Sequence, residues 1–363
     1  MVVLLKRNKW PERVILCTAK AMSILPSNTK YNKLYGLFHF ATNWIILGFS
    51  FHQKSQYYAS LPATLSFTEI CADVSLSIIT TYAILMLNLA NGTEVLKFIK
   101  ICSYRVQFEP KSSCTYAREY IVINLLFVVY KIFTLYSMYG LQRFSFEIFQ
   151  VWPRYASIVV FALLRYYALI MKWKFIELNE RLRMLKYPEI NSIMISKNLS
   201  EFRNISKNHT EFVGLIDEYN TVFGRQLVVN YIQIILNLLL PLNTLSYYSS
   251  VSNSPIPFYQ LCLLCSLLTT VPLVLAYTLF RSCNDCIDEC NKAQMSCYDI
   301  AHALPDSDAN SVFKFELRQF AHQLGQENAH FSAAGFFDVN YQLLTSLIST
   351  VTTYLIVLIQ FNK

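Results

Sequence analysis

Long apolar runs separated by polar, charge-rich segments dominate the pattern of this chain. Seven of these runs come close to or exceed the roughly 20 residues that a helix needs to cross a bilayer. They are residues 34–50, 67–90, 120–140, 148–171, 226–248, 257–280 and 336–361. Lipid offers no partner for unpaired backbone groups, and no barrel-like alternation is apparent in the sequence. We therefore predict an all-α membrane protein with seven transmembrane helices.

The polar segments between these runs predict additional helices outside the membrane. Residues 172–225 contain few helix breakers apart from Pro188, so spans four and five are expected to continue as cytosolic helices. The predicted organisation has five parts. They are 1–170 (cytosolic N-terminus and spans one to four), 171–225 (helical extensions), 226–280 (spans five and six), 281–335 (cytosolic anchor helices) and 336–363 (last span).

An apolar stripe marks one of the predicted anchor helices. Phe313, Leu317, Phe320 and Leu324 follow one another at steps of 4, 3 and 4 residues, which places them on a single helical face. Such a stripe either lies on a lipid surface or closes a helix bundle, and we favour the bundle.

Composition and charge agree with a membrane protein and set its orientation. Hydrophobic side chains make up 54% of the 363 residues and charged ones only 15%. Most of the 31 Lys and Arg residues lie on one face of the predicted spans, which marks that face and the N-terminus as cytosolic. The exceptions are Lys54, Arg143, Lys363, Lys131, Arg154 and Arg165. The net charge of +8 follows from this bias and does not indicate nucleic-acid binding.

The sequence offers little support for catalysis or for a metal centre. It has no Gly-rich phosphate loop, no G-x-S-x-G elbow and no H-E-x-x-H motif. Cys283, Cys286, Cys290 and Cys297 share one helical face, but one straight helix cannot place four thiolates around a zinc ion. Packed or palmitoylated thiols are the favoured interpretation. We predict no enzyme, metal site or cofactor.

The last apolar run carries a polar stripe of its own. Ser346, Thr350, Thr353, Val357 and Gln360 are spaced by 4, 3, 4 and 3 residues. Helix packing accounts for such a stripe, because Ser and Thr often bond neighbouring helices in membranes. Gln360 and the adjacent Phe361 favour a pore, since symmetry-related copies would form an amide ring behind an aromatic constriction at the outer mouth.

The closing stretch TYLIVLIQF resembles the T-Y-(five hydrophobic)-Q-F signature of insect gustatory receptors, with Thr353, Tyr354, Gln360 and Phe361 as motif residues. The resemblance implies a homo- or heterotetrameric ligand-gated cation channel with a cytosolic N-terminus and an extracellular C-terminus. It also implies a pore lined by the last span, and subunit contacts through the Phe313 to Leu324 stripe. The expected ligand is a small tastant, bitter or otherwise non-sugar, and the expected place is the plasma membrane of sensory neurons. The alternatives are a G-protein-coupled-type receptor, which requires the opposite orientation, and a non-channel transporter.

The resemblance also implies a ligand pocket among the outer halves of the first six spans. Charges within spans are costly and are candidates for function. We expect Asp73 and Lys131 to pair with each other or to line the ligand pocket. The polar and aromatic candidates nearby are Tyr136, Trp152, Arg154, Gln233, Asn237 and Tyr247. A structural ion pair with packed aromatic residues is the alternative interpretation.

Overall fold

The computed structural model describes residues 10–26, 32–105, 113–134, 140–185, 192–250, 257–305, 308–327 and 329–361. Helices account for nearly all of them. The helices are α1 (Trp10–Ala21), α2 (Asn32–Ser60), α3 (Ala63–Tyr82, continued by a π-helical segment Ala83–Ala90), α4 (Gly92–Arg105), α5 (Ser113–Thr134), α6 (Gly140–Met184), α7 (Ser192–Ser250), α8 (Phe258–Ala303), α9 (Asp308–Gln326) and α10 (Tyr341–Phe361). The all-α prediction is confirmed.

Every predicted span has a helix to carry it. Within the described residues, five helical segments are long and apolar enough to cross a membrane, in α2, α3, α6, α7 and α8. The other two predicted spans correspond to α5 and α10, which have 22 and 21 residues. A helix of that length extends about 32 Å, which is close to the thickness of the hydrocarbon core.

Local sequence accounts for several helix starts. Pro62 and Pro257 immediately precede α3 and α8, where the missing N–H and the fixed φ of proline are tolerated. Asn340 caps α10, because its side-chain Oδ1 accepts a hydrogen bond from the Leu343 N–H at 3.2 Å. The last helix therefore begins at Tyr341, five residues after the predicted start at Phe336.

The first span also differs from its prediction. The apolar run was expected to end at residue 50, but α2 continues to Ser60 and includes Lys54. The polar residues that follow Ser50 in the sequence are typical of a loop. They remain helical because Lys54 is buried and ion-paired, so its charge need not reach water.

An aromatic cluster joins α4, α6 and α7 at the centre of the fold. Phe98 contacts Tyr167, Tyr219 and Phe223 with ring centroids 5.2, 6.3 and 5.6 Å apart. All four side chains are essentially inaccessible to solvent. The pairs of Phe98 with Tyr167 and Phe223 are edge-to-face, and such pairs each contribute about 0.5–1.5 kcal/mol beyond their buried area. The cluster therefore fixes α7 against α6.

The apolar stripe of α9 faces the interior of its own chain. Phe313, Leu317, Phe320 and Leu324 are buried, and Phe202 of α7 contacts both Phe313 and Phe320 at 5.7 Å. The expected helix-bundle contact is confirmed. The assignment of these four residues to a subunit contact is wrong, because side chains buried within one chain are not available to another.

The cysteines of α8 are packed in the core. Cys283, Cys286, Cys290 and Cys297 are all buried. Burial raises the pKa of the Cys290 thiol, which also lies near Glu327, to about 12, and burial raises the pKa of Cys297 to about 12. Among the described residues, no group of three or more His, Cys, Asp or Glu side chains could hold a metal ion. Of the two favoured interpretations, packing fits this burial, whereas palmitoylation requires an accessible thiol.

We expect a membrane-permeable maleimide at pH 7 to modify the exposed Cys17 and to leave these four thiols unmodified in the folded protein. A buried thiol with a raised pKa presents almost no thiolate, which is the reactive form. Peptide mass spectrometry before and after denaturation checks the result. Acyl groups on the four residues, or their labelling as fast as Cys17, would contradict the packed arrangement.

Candidate ligand cavity and pore helix

A cavity lies among α3, α5, α6, α7 and α8, within the predicted membrane region. Its volume is about 80 Å³. Most of its lining is apolar, with Leu76, Phe127, Phe161, Leu268 and Val271 as examples. Concave, mainly apolar cavities with a few polar groups are typical of small-molecule sites.

Four polar side chains converge on this cavity, from α6 and α7. They are Arg154, Ser157, Gln233 and Asn237. Ser157 Oγ donates a hydrogen bond to Gln233 Oε1 at 2.8 Å, and both residues are buried. That bond orients the Gln233 amide, and no described residue accepts a hydrogen bond from its nitrogen. The arrangement presents a hydrogen-bond donor to a molecule in the cavity.

Two prolines near the same cavity leave backbone carbonyls without their usual helical hydrogen bond. Pro241 interrupts α7 and Pro272 interrupts α8, and both line the cavity. A proline inside a helix removes the hydrogen bond to the carbonyl four residues earlier. Those carbonyls belong to Asn237 and Leu268, which also line the cavity. The prolines therefore remove the usual helical hydrogen bond from the backbone carbonyls of two residues that line the cavity.

The structure brings together some of the predicted ligand contacts and separates others. Arg154, Gln233 and Asn237 line the cavity, whereas Asp73, Trp152 and Tyr247 do not. Trp152 stacks on His39, with centroids 5.4 Å apart, and Tyr247 contacts Tyr248. Tyr136 and the side chain of Lys131 lie outside what the structure describes.

Asp73 belongs to a buried polar cluster that joins α2 to α3. Lys54 Nζ lies 2.8 Å from Asp73 Oδ2, and the Tyr58 hydroxyl donates to the same oxygen at 2.7 Å. The Lys54 and Asp73 side chains are 7% and 6% exposed. Lys54 was predicted to lie in the outer segment after the first span. The observed pair corresponds to the structural alternative for Asp73.

Among the residues that the structure describes, the last helix contacts the rest of the chain along one edge only. Leu343, Leu347 and Val351 are buried, and α10 packs against α7 and α8. Ser346, Thr353, Val357 and Gln360 of the polar stripe are exposed, and Thr350 is half-buried. The motif residue Tyr354 is 55% exposed, and the side chain of Phe361 is not described. The stripe therefore lies on a surface that other chains could share.

The segment before α10 is fastened to α7. We call residues 329–340 the α10 linker. Asn220 of α7 accepts a hydrogen bond from the Ser332 N–H at 2.9 Å and donates one to the His330 carbonyl at 2.8 Å. Ala334 and Gly335 have φ angles of 53° and 80°, so the linker turns sharply there.

Gly224 permits this close approach. A Cβ added to Gly224 would lie 2.8 Å from the Ala334 nitrogen and 3.2 Å from the Ser332 oxygen, both backbone atoms. Farther along α7, the Tyr231 ring contacts Phe337 of the linker at 4.8 Å. The residues Gln233, Asn237 and Pro241, which line the cavity, follow on the same helix. One helix therefore contacts both the cavity and the linker.

Sequence reasoning did not identify Ser157 or the contacts of Asn220 and Gly224. Ser157 is a single hydroxyl within an apolar run and gives no signal of its own. Gly224 offered one available signal, since a glycine inside a long helical pattern often marks close backbone packing.

Comparisons with known proteins agree with this architecture. A family model described as 7tm chemosensory receptor matches residues 22–363. A Drosophila melanogaster protein named gustatory receptor 2a is 51% identical over 47 residues, which cover 13% of this chain and only 11% of that protein.

Two solved structures resemble nearly the whole fold. The olfactory receptor OR5 from Machilis hrabei has a TM-score of 0.62 at 12% identity, and the match covers 98% of each chain. The same receptor in complex with eugenol has a TM-score of 0.59 at 13% identity and equal coverage. At this level of identity, the likeness concerns the fold alone.

Proposed function

This chain belongs to the 7tm chemosensory receptor family, and from this premise we propose that it is a gustatory receptor that works as a ligand-gated cation channel. The family consists of receptors and not enzymes, and the chain is a multi-pass membrane protein. In the proposal, a small tastant occupies the cavity at Gln233 and Asn237, and the polar stripe of α10 lines the pore.

The contact of α7 with both sites is the observation that carries the proposal. Ligand binding at Gln233 and Asn237 acts on α7, and α7 holds the linker through Asn220 and Gly224. A change in the position of this helix is thereby passed to the start of α10. A ligand shifts such an equilibrium only by its differential affinity for the two states, so its contacts with α7 must differ between the closed and open channel.

A pore requires several copies of the chain, because one helix attached along one edge encloses no channel. The proposed tetramer places four α10 stripes around a common axis at the plasma membrane of sensory neurons. The Phe313 to Leu324 stripe is buried within its own chain. We therefore assign the subunit contacts to apolar side chains that remain exposed on the anchor helices. Val312 and Phe315 of α9 are 54% and 68% exposed.

The proposal predicts that Asn237→Leu and Gln233→Leu each raise the half-maximal agonist concentration by at least about fivefold. Loss of one buried hydrogen bond to a ligand corresponds to about 1–3 kcal/mol, and tenfold corresponds to about 1.4 kcal/mol. The measurement is whole-cell current in transfected cells, with eugenol and a panel of non-sugar tastants as the first probes.

Thr270→Val is the matched control for this experiment. It is also a polar-to-apolar change within a span, but Thr270 is exposed on α8 and does not line the cavity. An unchanged dose response in both cavity variants, at normal surface expression, would place the ligand elsewhere.

A second prediction concerns the pore. Gln360→Glu should increase the permeability of divalent cations relative to sodium severalfold, because four copies would place a ring of carboxylates at the outer mouth. Reversal potentials in mixed ionic solutions measure this ratio. Gln319→Glu, an equal change on the exposed face of α9, should leave it unchanged. Identical selectivity in the Gln360 variant would mean that α10 does not line the pore, and a transporter or G-protein-coupled receptor would then be the better account.

A further inference from the structure

A second, larger groove opens between α5, α6 and α8, beyond the cavity toward the end predicted to be cytosolic. We call it the inner groove, and its volume is about 530 Å³. Its depth can be read from α8, which carries no charged residue from Phe258 to Phe280 and then meets Arg281. The first charge after a long apolar run marks the membrane boundary. Trp173 and Tyr277 also line the groove, and such aromatic residues are enriched at this boundary.

The charged end of the inner groove carries an excess of positive charge. Its cationic residues are Arg165, Lys172 and Arg281, and its acidic residues are Glu119 and Asp285. Arg165 pairs with Glu119. Lys172 Nζ lies 2.8 Å from Asp285 Oδ2, and Arg281 Nε lies 3.8 Å from the same oxygen. Two cations therefore share one carboxylate, and an entering anion would balance the remaining charge.

The other end of the inner groove is apolar. Val122, Leu169 and Val274 line it, one from each of the three helices. A guest that matches both ends must have an anionic head and a hydrocarbon tail. A soluble anion would leave the apolar end uncovered.

We propose that the inner groove binds one anionic phospholipid of the cytosolic leaflet. Its phosphate lies at Arg281, whose side chain is 57% exposed, and near Lys172, and its acyl chain lies against Val122, Leu169 and Val274. Basic pockets between transmembrane helices on the cytosolic side are suited to such headgroups. This binding does not depend on the proposed channel function.

The position of the inner groove also gives the lipid a route to α10. The Tyr277 ring, which lines the groove, lies 6.5 Å from the ring of Tyr341, the first residue of α10. A headgroup at Arg281 is therefore next to the start of the last helix. We expect the bound lipid to shift the conformational equilibrium at the start of α10.

Native mass spectrometry of the purified full-length protein tests the proposal. Phosphatidylserine should give a retained lipid adduct, and phosphatidylcholine should be retained roughly fivefold less, as expected for the loss of one charge contact. Arg281→Gln should weaken phosphatidylserine retention by a similar factor. Lys292→Gln, which removes an exposed cation of α8 outside the inner groove, should not.

A second groove variant and a competition measurement complete the test. Lys172→Gln should also weaken retention, and it provides an independent variant if Arg281→Gln does not fold. Glycerol 3-phosphate at the same concentration should not displace the lipid, since it lacks the acyl chain. Equal retention of the two lipids, unaffected binding in the groove variants, or efficient displacement by glycerol 3-phosphate would each overturn the proposal.

Discussion

Gly224→Ala is expected to reduce the maximal ligand-evoked current at least tenfold in channels that still reach the cell surface. The new methyl group would lie 2.8 Å from the Ala334 nitrogen, which is a backbone atom and cannot rotate away. Either α7 or the α10 linker must shift, and overpacking of this kind costs about 1–3 kcal/mol. Because the linker leads into α10, the shift should appear in gating. Whole-cell recording at saturating agonist, normalised to surface protein, measures it.

The same helix provides a matched control for Gly224. A Cβ added at Gly214 of α7 meets no atom within 4 Å. Gly214→Ala should therefore leave the current unchanged and stabilise the helix slightly, since alanine in a helix interior is favoured over glycine by about 1 kcal/mol. If both variants behave like the wild type, the contact between α7 and the linker has no role in gating.

The Lys54–Asp73 pair should show the largest effect on folding. Asp73→Asn leaves a buried ammonium without its carboxylate, and Lys54→Met leaves a buried carboxylate without its ammonium. Removing one partner of a buried ion pair typically costs about 3–5 kcal/mol. Each single variant should therefore lose most of its surface expression. The double variant Lys54→Met/Asp73→Asn buries neither charge of the pair. The introduced amide oxygen can still accept the hydrogen bond from the Tyr58 hydroxyl, so surface expression should recover.

Surface expression and agonist sensitivity together distinguish a structural role of the Lys54–Asp73 pair from a role in ligand binding. Normal agonist sensitivity in the double variant would assign the pair a structural role, whereas a lost response at recovered expression would support the predicted role of Asp73 in the pocket. Arg203→Met is the control, because the Arg203–Glu316 pair is exposed at Arg203 and such pairs contribute little. Equal expression of all variants would mean that the pair is not important for folding.

Sequence reasoning predicted elements well where periodicity alone decides them. Each apolar run of span length became a helix, and the stripe from Ser346 to Gln360 lies on an accessible side of α10. Gln233 and Asn237 were named as polar residues near the charges expected in the outer halves of the spans, and both line the cavity.

Pairing between helices could not be predicted in the same way. Asp73 was matched with Lys131 because both lie inside apolar runs. Its observed partner is Lys54, which lies on the preceding helix, α2. That pairing depends on how far α2 extends before the turn at Leu61 and Pro62. Similarly, the spacing of Phe313 and Leu317 shows that one face of α9 is buried but not whether the same chain or another covers it.

The one-edged attachment of α10 has a consequence for biosynthesis. If the proposed tetramer forms, a newly inserted chain would present the exposed Ser346, Thr353 and Gln360 to lipid before its neighbours join it. Polar groups that face hydrocarbon are costly, so a lone subunit is less stable in the membrane than an assembled one. The proposed assembly therefore predicts that the amount of receptor at the cell surface rises more steeply than in direct proportion to the subunit concentration.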